Sequence, residues 1–489
     1  MTDQQRWDAM GCVNPVVRTP ALDSLARNGI LFDQAVCQCP MCVPSRNSML
    51  LGLNPWQVGV RNNGQGILDD ALLPNVPLPQ MLRDAGYRTA GFGKTHWNNG
   101  LPGRPGSTRG FEVRAEGQSR ESRHNEIGAV MMDDEDAEGL KAYYEETSEF
   151  GSGEENALGY IGKVSHLPKE HHRDGFIYKK CAEFLDGYEP DGRPLFLYFS
   201  LIKPHAGFNI PPEYESQYRL EDIPDVAEGP FEEEPEDTHM AAAMRASESL
   251  YNVHHNRKKV LAGRSREEKR LTTLRYWANC TFMDDLIGGV LRKIHEKGLD
   301  EDALFVFVSD HGEMLGERDS RFSKYCLFDS SVRVPMILAG SRVPEALRGT
   351  RDHRPAMLLD VYPTLRAAAG LKDDPALPGL NLLASCPAGE NGDTELSRRE
   401  GAFCEFHGGG AEKVEISPAW MYRTPRYKLI LFREGCLPGT AWEKGELYDL
   451  EKDPHEWHNV YGEPEYGEVR RHLTERLSAL IPSDSQWLA

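Results

Sequence analysis

The chain has 489 residues, of which 39% are hydrophobic and 27% charged, a balance typical of a folded globular protein too long for one ordinary core. Its 76 acidic and 56 basic residues give a net charge of −20, which argues against a nucleic-acid surface. A local cluster of Lys, Arg and His could still bind an anionic small molecule. The sequence has no apolar run of eighteen residues, so we expect no membrane-spanning helix.

The first residues, MTDQQRWDAMG, lack the basic and apolar layout of a signal peptide. Further on, the segment CQCPMCVPSR places three cysteines within six residues, directly before Pro44, Ser45 and Arg46. Two of these cysteines could bind a metal or close a disulfide, or a single one could be a reactive centre. The other cysteines are scattered without paired zinc spacing, and most are expected to be small buried hydrophobes.

Apolar runs with strand character alternate with helical patterns along most of the chain. The predicted strands lie in YRTAGF, PLFLYFSL, ALFVFVS and VRVPMILAG, and the predicted helices in VPLPQMLRDAG, DGFIYKKCAEFLDG, LRYWANCTFMDDLIGGVLRKIHEKG and RPAMLLDVYPTLRAAAG. This alternation predicts an α/β fold, with a large, mostly parallel sheet sandwiched by helices.

Polar clusters follow three of these strands at the points where they end. Because ligands of such sheets bind outside the carboxyl ends of the strands, we expect one shared site there. The residues concerned are Lys94 and His96, Lys203 and His205, and Asp310 and His311.

The chain divides into a catalytic α/β domain (1–372), a linker rich in Pro, Gly and Asp (373–399), and a smaller C-terminal α+β domain (400–489). Two charged insertions interrupt the first domain at about 101–169 and 213–269. The first insertion carries five arginines that could meet an anionic ligand but are better interpreted as surface charges, namely Arg104, Arg109, Arg114, Arg120 and Arg123.

CVPSR fits the C-x-P-S-R signature, and on this ground the chain resembles the type I sulfatases of the alkaline-phosphatase superfamily. The resemblance covers nearly the whole chain in order. It is carried by TDQQRWDAMG, NPVVRTPALDSLARNGILF, CVPSR, GKTH, KPH, SDHGEMLGE, Lys324 and ELYDLEKDPHEWHNV.

The resemblance implies that Cys42 is oxidised to formylglycine by a dedicated modifying enzyme, while Cys37 and Cys39 only pack. The hydrated aldehyde would attack sulfur with one hydroxyl and expel sulfate with the other. One divalent cation is implied, Ca²⁺ first, with Mg²⁺ or Mn²⁺ as alternatives. The residues that match its ligands are Asp3, Gln4, Asp310 and His311, together with residue 42.

The remaining roles also follow from the resemblance. Arg46 would orient the formylglycine, and Lys94 and Lys324 would neutralise the sulfate oxygens. His205 would be the acid for the leaving alcohol, and His96 the base for sulfate release.

The chain departs from the commonest family pattern, which has Asp-Asp and Asp-Asn at the ligand pairs. Asp3-Gln4 and Asp310-His311 are similar to choline-sulfatase-like enzymes and phosphonate monoester hydrolases, and Asp-His also occurs in some glycan sulfatases. We therefore expect a sulfatase acting on a sulfated sugar or another small sulfate ester. A phosphonate or phosphodiester hydrolase and a non-catalytic anion-binding relative are the alternatives.

Only Met1 and Thr2 precede Asp3, although the family places this ligand at the end of a central strand. We expect the natural protein to have an upstream, in-frame apolar segment rich in β-branched residues, with room for a signal peptide before it. Localisation therefore stays open. In the chain as written, we expect Asp3 and Gln4 to be held only loosely.

Overall fold

The computed structural model describes residues 1–66, 69–97, 109–115, 134–148, 161–227, 229, 263–384, 399–407, 418–432 and 445–481. Thirteen strands occur in this part of the chain. They are β1 (Gly29–Phe32), β2 (Ala35–Val36), β3 (Arg88–Gly93), β4 (Val113–Ala115), β5 (Leu195–Ser200), β6 (Phe305–Val308), β7 (Met336–Ala339), β8 (Thr350–Asp352), β9 (Ala356–Met357), β10 (Ala402–Phe406), β11 (Ala419–Arg423), β12 (Tyr427–Phe432) and β13 (Gly445–Asp449).

The α-helices of the same ranges include the four predicted ones, which correspond to α4, α6, α8 and α11. In chain order the helices are α1 (Pro20–Arg27), α2 (Cys42–Leu51), α3 (Pro55–Val58), α4 (Leu78–Asp84), α5 (Asp134–Ser148), α6 (Arg173–Asp186), α7 (Pro212–Glu215), α8 (Arg266–Glu296), α9 (Glu317–Ser320), α10 (Asp329–Val332), α11 (Val361–Ala368) and α12 (Gly467–Ser478). Among the described residues, no helix is both long and apolar enough to cross a membrane.

The central layer consists of two strand groups, ordered β4-β3-β5 and β6-β7-β1-β8. The first residues of the chain lie between them: Thr2 N donates to Val308 O (3.1 Å), and Asp3 N donates to Lys203 O (3.4 Å). Both bridges are parallel, as are the pairings within the first group and between β1 and β8. The mostly parallel sheet is thus confirmed, but β7 runs antiparallel to both its neighbours.

The sheet is covered on both faces, as successive residues of one strand show. Ile30 and Phe32 of β1 join a core with α4, α11 and the C-terminal strands, whereas Leu31 between them joins a second core with α1, α6 and α8. Side chains alternate across a strand, so the two cores lie on opposite faces. This double coverage explains why the strands read as continuous apolar runs.

The C-terminal strands form an antiparallel sheet in the order β10-β11-β12-β13, and α12 packs against it. A buried ionic network joins this sheet to the segment around Asp329. Arg423 donates to both Asp329 oxygens (2.8 and 2.7 Å), and Lys428 donates to Leu327 O (3.0 Å) and pairs with Glu456. The sheet is therefore anchored to the catalytic part by charges as well as by apolar packing.

The structure describes only part of each predicted insertion, and most of the charge runs of the insertions lie outside the described residues. Arg109 and Arg114 lie in the described part of the first insertion, and the interpretation of these two arginines as surface charges is wrong. Arg114 is fully buried and donates to Gly91 O, Gly93 O and Thr95 Oγ1 (2.6 to 3.1 Å). Arg109 is buried over the Trp97 ring. Both brace the loop that follows β3.

The Lys428→Met substitution should lower the free energy of unfolding by about 3–5 kcal/mol, because it leaves the carboxylates of Asp329 and Glu456 buried without this partner. Urea-induced unfolding measures the change. The matched control is Arg471→Gln, which removes an exposed pair with Glu475 and should cost less than about 1 kcal/mol. Equal effects of the two substitutions would contradict the role of the network.

Candidate active site

Cys42 is the first residue of α2, a helix whose ten residues are all buried. Met41, the N-cap residue of α2, makes no capping hydrogen bond with its side chain. Asn63 Oδ1 instead accepts a hydrogen bond from Val43 N in the first turn (3.0 Å). The positive end of the helix dipole therefore lies at Cys42. The sequence analysis missed Asn63, which lies 21 positions beyond Cys42 and carries no motif of its own.

Four potential ligand atoms converge on one point beside α2. They belong to Asp3, Cys42, Asp310 and His311, all buried, and lie within 4.8 Å of one another. Cys42 Sγ is 3.2 Å from His311 Nε2 and 3.9 Å from Asp3 Oδ1. His311 Nε2 is 3.6 Å from Asp310 Oδ1 and 3.9 Å from Asp3 Oδ1. The structure thus joins residues from three distant stretches of the sequence.

Arg46 holds the two carboxylates in place from the other side. Its Nε donates to Asp310 Oδ2 (2.7 Å) and its Nη2 to Asp3 Oδ2 (3.3 Å), while Nη1 donates to Lys94 O (2.6 Å) and Ser200 Oγ (2.9 Å). Lys94 Nζ also contacts Asp3 Oδ2. Since both cations engage the Oδ2 atoms, the Oδ1 atoms are left facing Cys42 and His311.

Lys324 completes the set of cations, as its Nζ lies 3.0 Å from Cys42 Sγ and donates to Gln4 Oε1 (2.8 Å). The other end of the Gln4 amide donates to Glu313 Oε2. Glu313 is fully buried and also accepts from Leu315 N (3.1 Å) and Ser323 N. Glu313 therefore orients the Gln4 oxygen towards Lys324. It lies inside the motif SDHGE but had no role in the sequence analysis.

The charges of this cluster shift its pKa values strongly. Burial disfavours the Asp3 carboxylate, but Lys94, His205, Arg46 and Lys324 outweigh burial and hold the pKa of Asp3 well below its usual range. Burial and the Asp3 charge likewise oppose ionisation of Cys42. Lys324, Lys94 and His311 prevail, and the pKa of the thiol is well below its ordinary value. Residue 42 is therefore held in an environment that favours an anion.

The two histidines expected to transfer protons lie at the predicted strand ends. His205 follows β5, and burial together with Lys324 and Lys94 lowers its pKa well below the usual range. A neutral imidazole is thus favoured there. His96 lies two residues after Lys94, is half-buried and has a left-handed backbone with φ of 55°.

The expectation of a loosely held chain start is wrong. Asp3 and Gln4 are fully buried, and Gln4 has a left-handed φ of 66°. Gln4 N donates to Asp310 Oδ1 (3.0 Å), and Leu201 N donates to Met1 O (2.9 Å). Backbone bonds to the neighbouring strands and ion pairs with Arg46 and Lys94 fix this segment in the site.

Cys37 and Cys39 are fully buried in the first core and lie outside the ligand cluster. This agrees with their interpretation as packing residues.

Comparison with known proteins gives two matching family models. The sulfatase model matches residues 1–371, and a model described as N-sulphoglucosamine sulphohydrolase, C-terminal, matches residues 316–483. An ulvan-active sulfatase of Formosa agariphila is 26% identical over 488 residues, which cover 98% of this chain and 79% of that protein.

Solved structures share the fold. A phosphonate monoester hydrolase of Agrobacterium radiobacter has a TM-score of 0.74 at 22% identity, covering 98% of this chain and 94% of the other. A protein in complex with its substrate D-glucosamine-2-N,6-O-disulfate has a TM-score of 0.69 at 19% identity, covering 100% and 97%.

The sheet, the covering helices and the C-terminal sheet thus form the fold that these two solved structures share. Within it, the chain belongs to the sulfatase family and is a sulfuric ester hydrolase. The expected family and fold are confirmed, and the non-catalytic alternative is set aside.

Replacing Arg46 by Lys should lower kcat/KM for an aryl sulfate by about 100-fold or more, because one ammonium cannot span Asp3, Asp310 and the Lys94 carbonyl. Steady-state kinetics measure the loss, and circular dichroism verifies the fold. Arg88→Lys is the control, since Arg88 makes a partly exposed pair with Asp191 and lies over the rings of Phe184 and Tyr188, outside the ligand cluster, and should leave kcat/KM within a factor of about three. An Arg46→Lys enzyme with wild-type kinetics would contradict the spanning role.

Proposed function

We propose that the protein hydrolyses the sulfate monoester of a sulfated sugar or a similar small molecule, with a formylglycine made from Cys42 and one divalent cation. The observation that carries the proposal is the surrounding of Cys42. It begins α2, faces the carboxylates of Asp3 and Asp310, and is contacted by Lys324.

The donor set fits a divalent cation. Asp3 and Asp310 each direct one oxygen to the cluster, and His311 directs Nε2. Gln4 Oε1 lies near the cluster, because it accepts a hydrogen bond from Lys324 Nζ, which also contacts Cys42 Sγ. Oxygen-rich sets of this kind suit Ca²⁺, with Mg²⁺ or Mn²⁺ as alternatives. When bound, the cation would supply Lewis-acid stabilisation of a sulfate oxygen and lower the pKa of the attacking hydroxyl.

The chain itself supplies the positive charge that an anionic substrate needs. Asp3 and Asp310 pair with Arg46 and Lys94, whereas Lys324 contacts Gln4 Oε1 (2.8 Å) and Cys42 Sγ (3.0 Å), so its charge is directed at residue 42. Lys94 and Lys324 lie beside residue 42 and would neutralise the sulfate oxygens. Because the site is buried, these fixed charges act with little screening.

The proton transfers are assigned to the two histidines. His205 would donate a proton to the leaving alcohol, which requires it to be protonated in the bound complex. A sulfate anion beside it would raise its pKa from the low value set by burial and Lys324. His96 would accept a proton when sulfate is released.

A sugar substrate is supported by two of the relatives, one named as ulvan-active and the other bound to a disulfated glucosamine. The second candidate function is phosphonate monoester or phosphodiester hydrolysis. The shared fold of the Agrobacterium radiobacter enzyme and the sequence pairs Asp3-Gln4 and Asp310-His311 favour testing it.

Active protein should carry formylglycine at position 42, since this thiol begins the helix at the centre of the charged cluster. Peptide mass spectrometry should show the thiol replaced by the aldehyde, and the Cys42→Ala substitution should abolish turnover. The buried neighbour Cys39 is the control, because Cys39→Ala should keep residue 42 modifiable. Full activity with an intact Cys42 thiol would overturn the mechanism.

Aryl sulfate should be hydrolysed with a kcat/KM at least about tenfold above that for an aryl phosphonate monoester, because the chain belongs to the sulfatase family. Both esters carry one negative charge, so the comparison tests the shape of the pocket and not its net charge. A screen of defined sulfated mono- and disaccharides and choline sulfate then identifies the substrate class. A preference for the phosphonate ester would establish the second candidate function instead.

Exhaustive chelation should remove turnover, and Ca²⁺ should restore it.

A further inference from the structure

With Cys42 still a thiol, the donor cluster contains a different set of atoms from the set that a calcium site requires. It consists of one sulfur, one imidazole nitrogen and two carboxylate oxygens, all buried. Sulfur and imidazole nitrogen are the donors that zinc prefers, whereas calcium takes six to eight oxygens. The chemistry of residue 42 therefore decides which cation the cluster suits.

The distances between the four atoms approach those around a tetrahedral zinc ion. Ligands about 2.0 to 2.3 Å from zinc lie about 3.3 to 3.6 Å from each other. Cys42 Sγ is 3.2 Å from His311 Nε2 and 3.9 Å from Asp3 Oδ1. His311 Nε2 is 3.6 Å from Asp310 Oδ1 and 3.9 Å from Asp3 Oδ1. Small side-chain adjustments would place all four on one ion.

Neighbouring groups already fix the orientation of each donor. His311 Nδ1 lies 3.0 Å from Gly312 O, and because a carbonyl only accepts, Nδ1 carries the proton and Nε2 faces the cluster. Arg46 binds the Oδ2 atoms of Asp3 and Asp310, and Asp3 Oδ1 faces the cluster. Asp310 Oδ1 accepts from Gln4 N and His311 N (3.0 Å each), and these two amides hold it beside His311 Nε2. Such support from surrounding groups is what a tight zinc site requires.

We propose that the unmodified chain binds one zinc ion through Asp3, Cys42, Asp310 and His311, and that conversion of Cys42 to formylglycine removes this preference for zinc over calcium. The inference rests on the proposed function only for the second statement. The modifying enzyme must supply a two-electron oxidant such as O2, break the bond between carbon and sulfur and release the sulfur at the sulfide level, while the aldehyde oxygen takes its place. The same pocket thereby changes from a zinc site to a site for a hard cation.

The test uses full-length protein made without the formylglycine-generating enzyme, with the Cys42 thiol verified by peptide mass spectrometry. Zinc binding is measured by competition with a chromophoric chelator. Co²⁺ replaces zinc as a spectroscopic probe, since it shows a thiolate charge-transfer band and strong visible bands in tetrahedral sites. We expect one tight zinc site and both kinds of band.

Two variants locate the site. The Cys42→Ser and His311→Gln substitutions should each weaken zinc binding by about 100-fold or more, and the first should also remove the charge-transfer band. Cys12→Ser is the control, because Cys12 is a partly exposed thiol outside the cluster and the substitution should change neither readout. Circular dichroism verifies that each variant is folded.

Unchanged zinc affinity in folded Cys42→Ser and His311→Gln proteins, or the absence of a charge-transfer band in the unmodified chain, would overturn the zinc site. The formylglycine form should prefer zinc over calcium at least about 100-fold less than the thiol form does. Equal preferences would overturn the second statement. None of these readouts uses turnover, so a failed zinc site and a failed sulfatase mechanism give different results.

Discussion

The buried ion pairs of Arg46 with Asp3 and Asp310 are the interaction on which the site depends. All three side chains are fully excluded from solvent, and each comes from a different element: the chain start, α2 and the end of β6. Burying one carboxylate without a partner would cost several kcal/mol, so these elements assume their places together or not at all. The same guanidinium also bonds the backbone of Lys94 and the side chain of Ser200, which brings in β3 and β5. One side chain thus links the chain start and the ends of β3, β5 and β6 to the helix that carries residue 42.

This arrangement explains why so much positive charge can remain in a buried pocket. The cations are fixed by the protein's own carboxylates and carbonyls, and the charge of Lys324 is directed at residue 42. A sulfate group entering the site meets charges that need no reorganisation, which is the condition under which electrostatic stabilisation of a transition state is most effective. The proposed dependence of cation choice on residue 42 has a different origin, namely its donor atom, because a sulfur ligand suits zinc and an oxygen ligand suits a hard cation.

Much of this could be predicted from the sequence, for physical reasons. Strands buried on both faces appear as unbroken apolar runs, as in PLFLYFSL and ALFVFVS, and the polar residues at their ends converge because parallel strands end at one edge. Periodicity could not give the direction of β7, since an antiparallel buried strand has the same apolar pattern. The roles of Asn63, Ser200 and Glu313 were also out of reach, because they act through contacts with residues far away in the chain. The buried state of Arg114 depended on carbonyls at the end of β3 that no local pattern reveals.

The network around Asp329 determines whether the C-terminal sheet can be exchanged without affecting the active site. Lys324 lies five positions before Asp329, and the intervening backbone carbonyl of Leu327 accepts from Lys428 of β12. The C-terminal sheet therefore supports the loop that carries a site cation, although no residue of the sheet belongs to the ligand cluster. Replacing this sheet by that of a relative would therefore remove a contact that positions the loop of Lys324. The sheet is a structural part of the active site and not an interchangeable module.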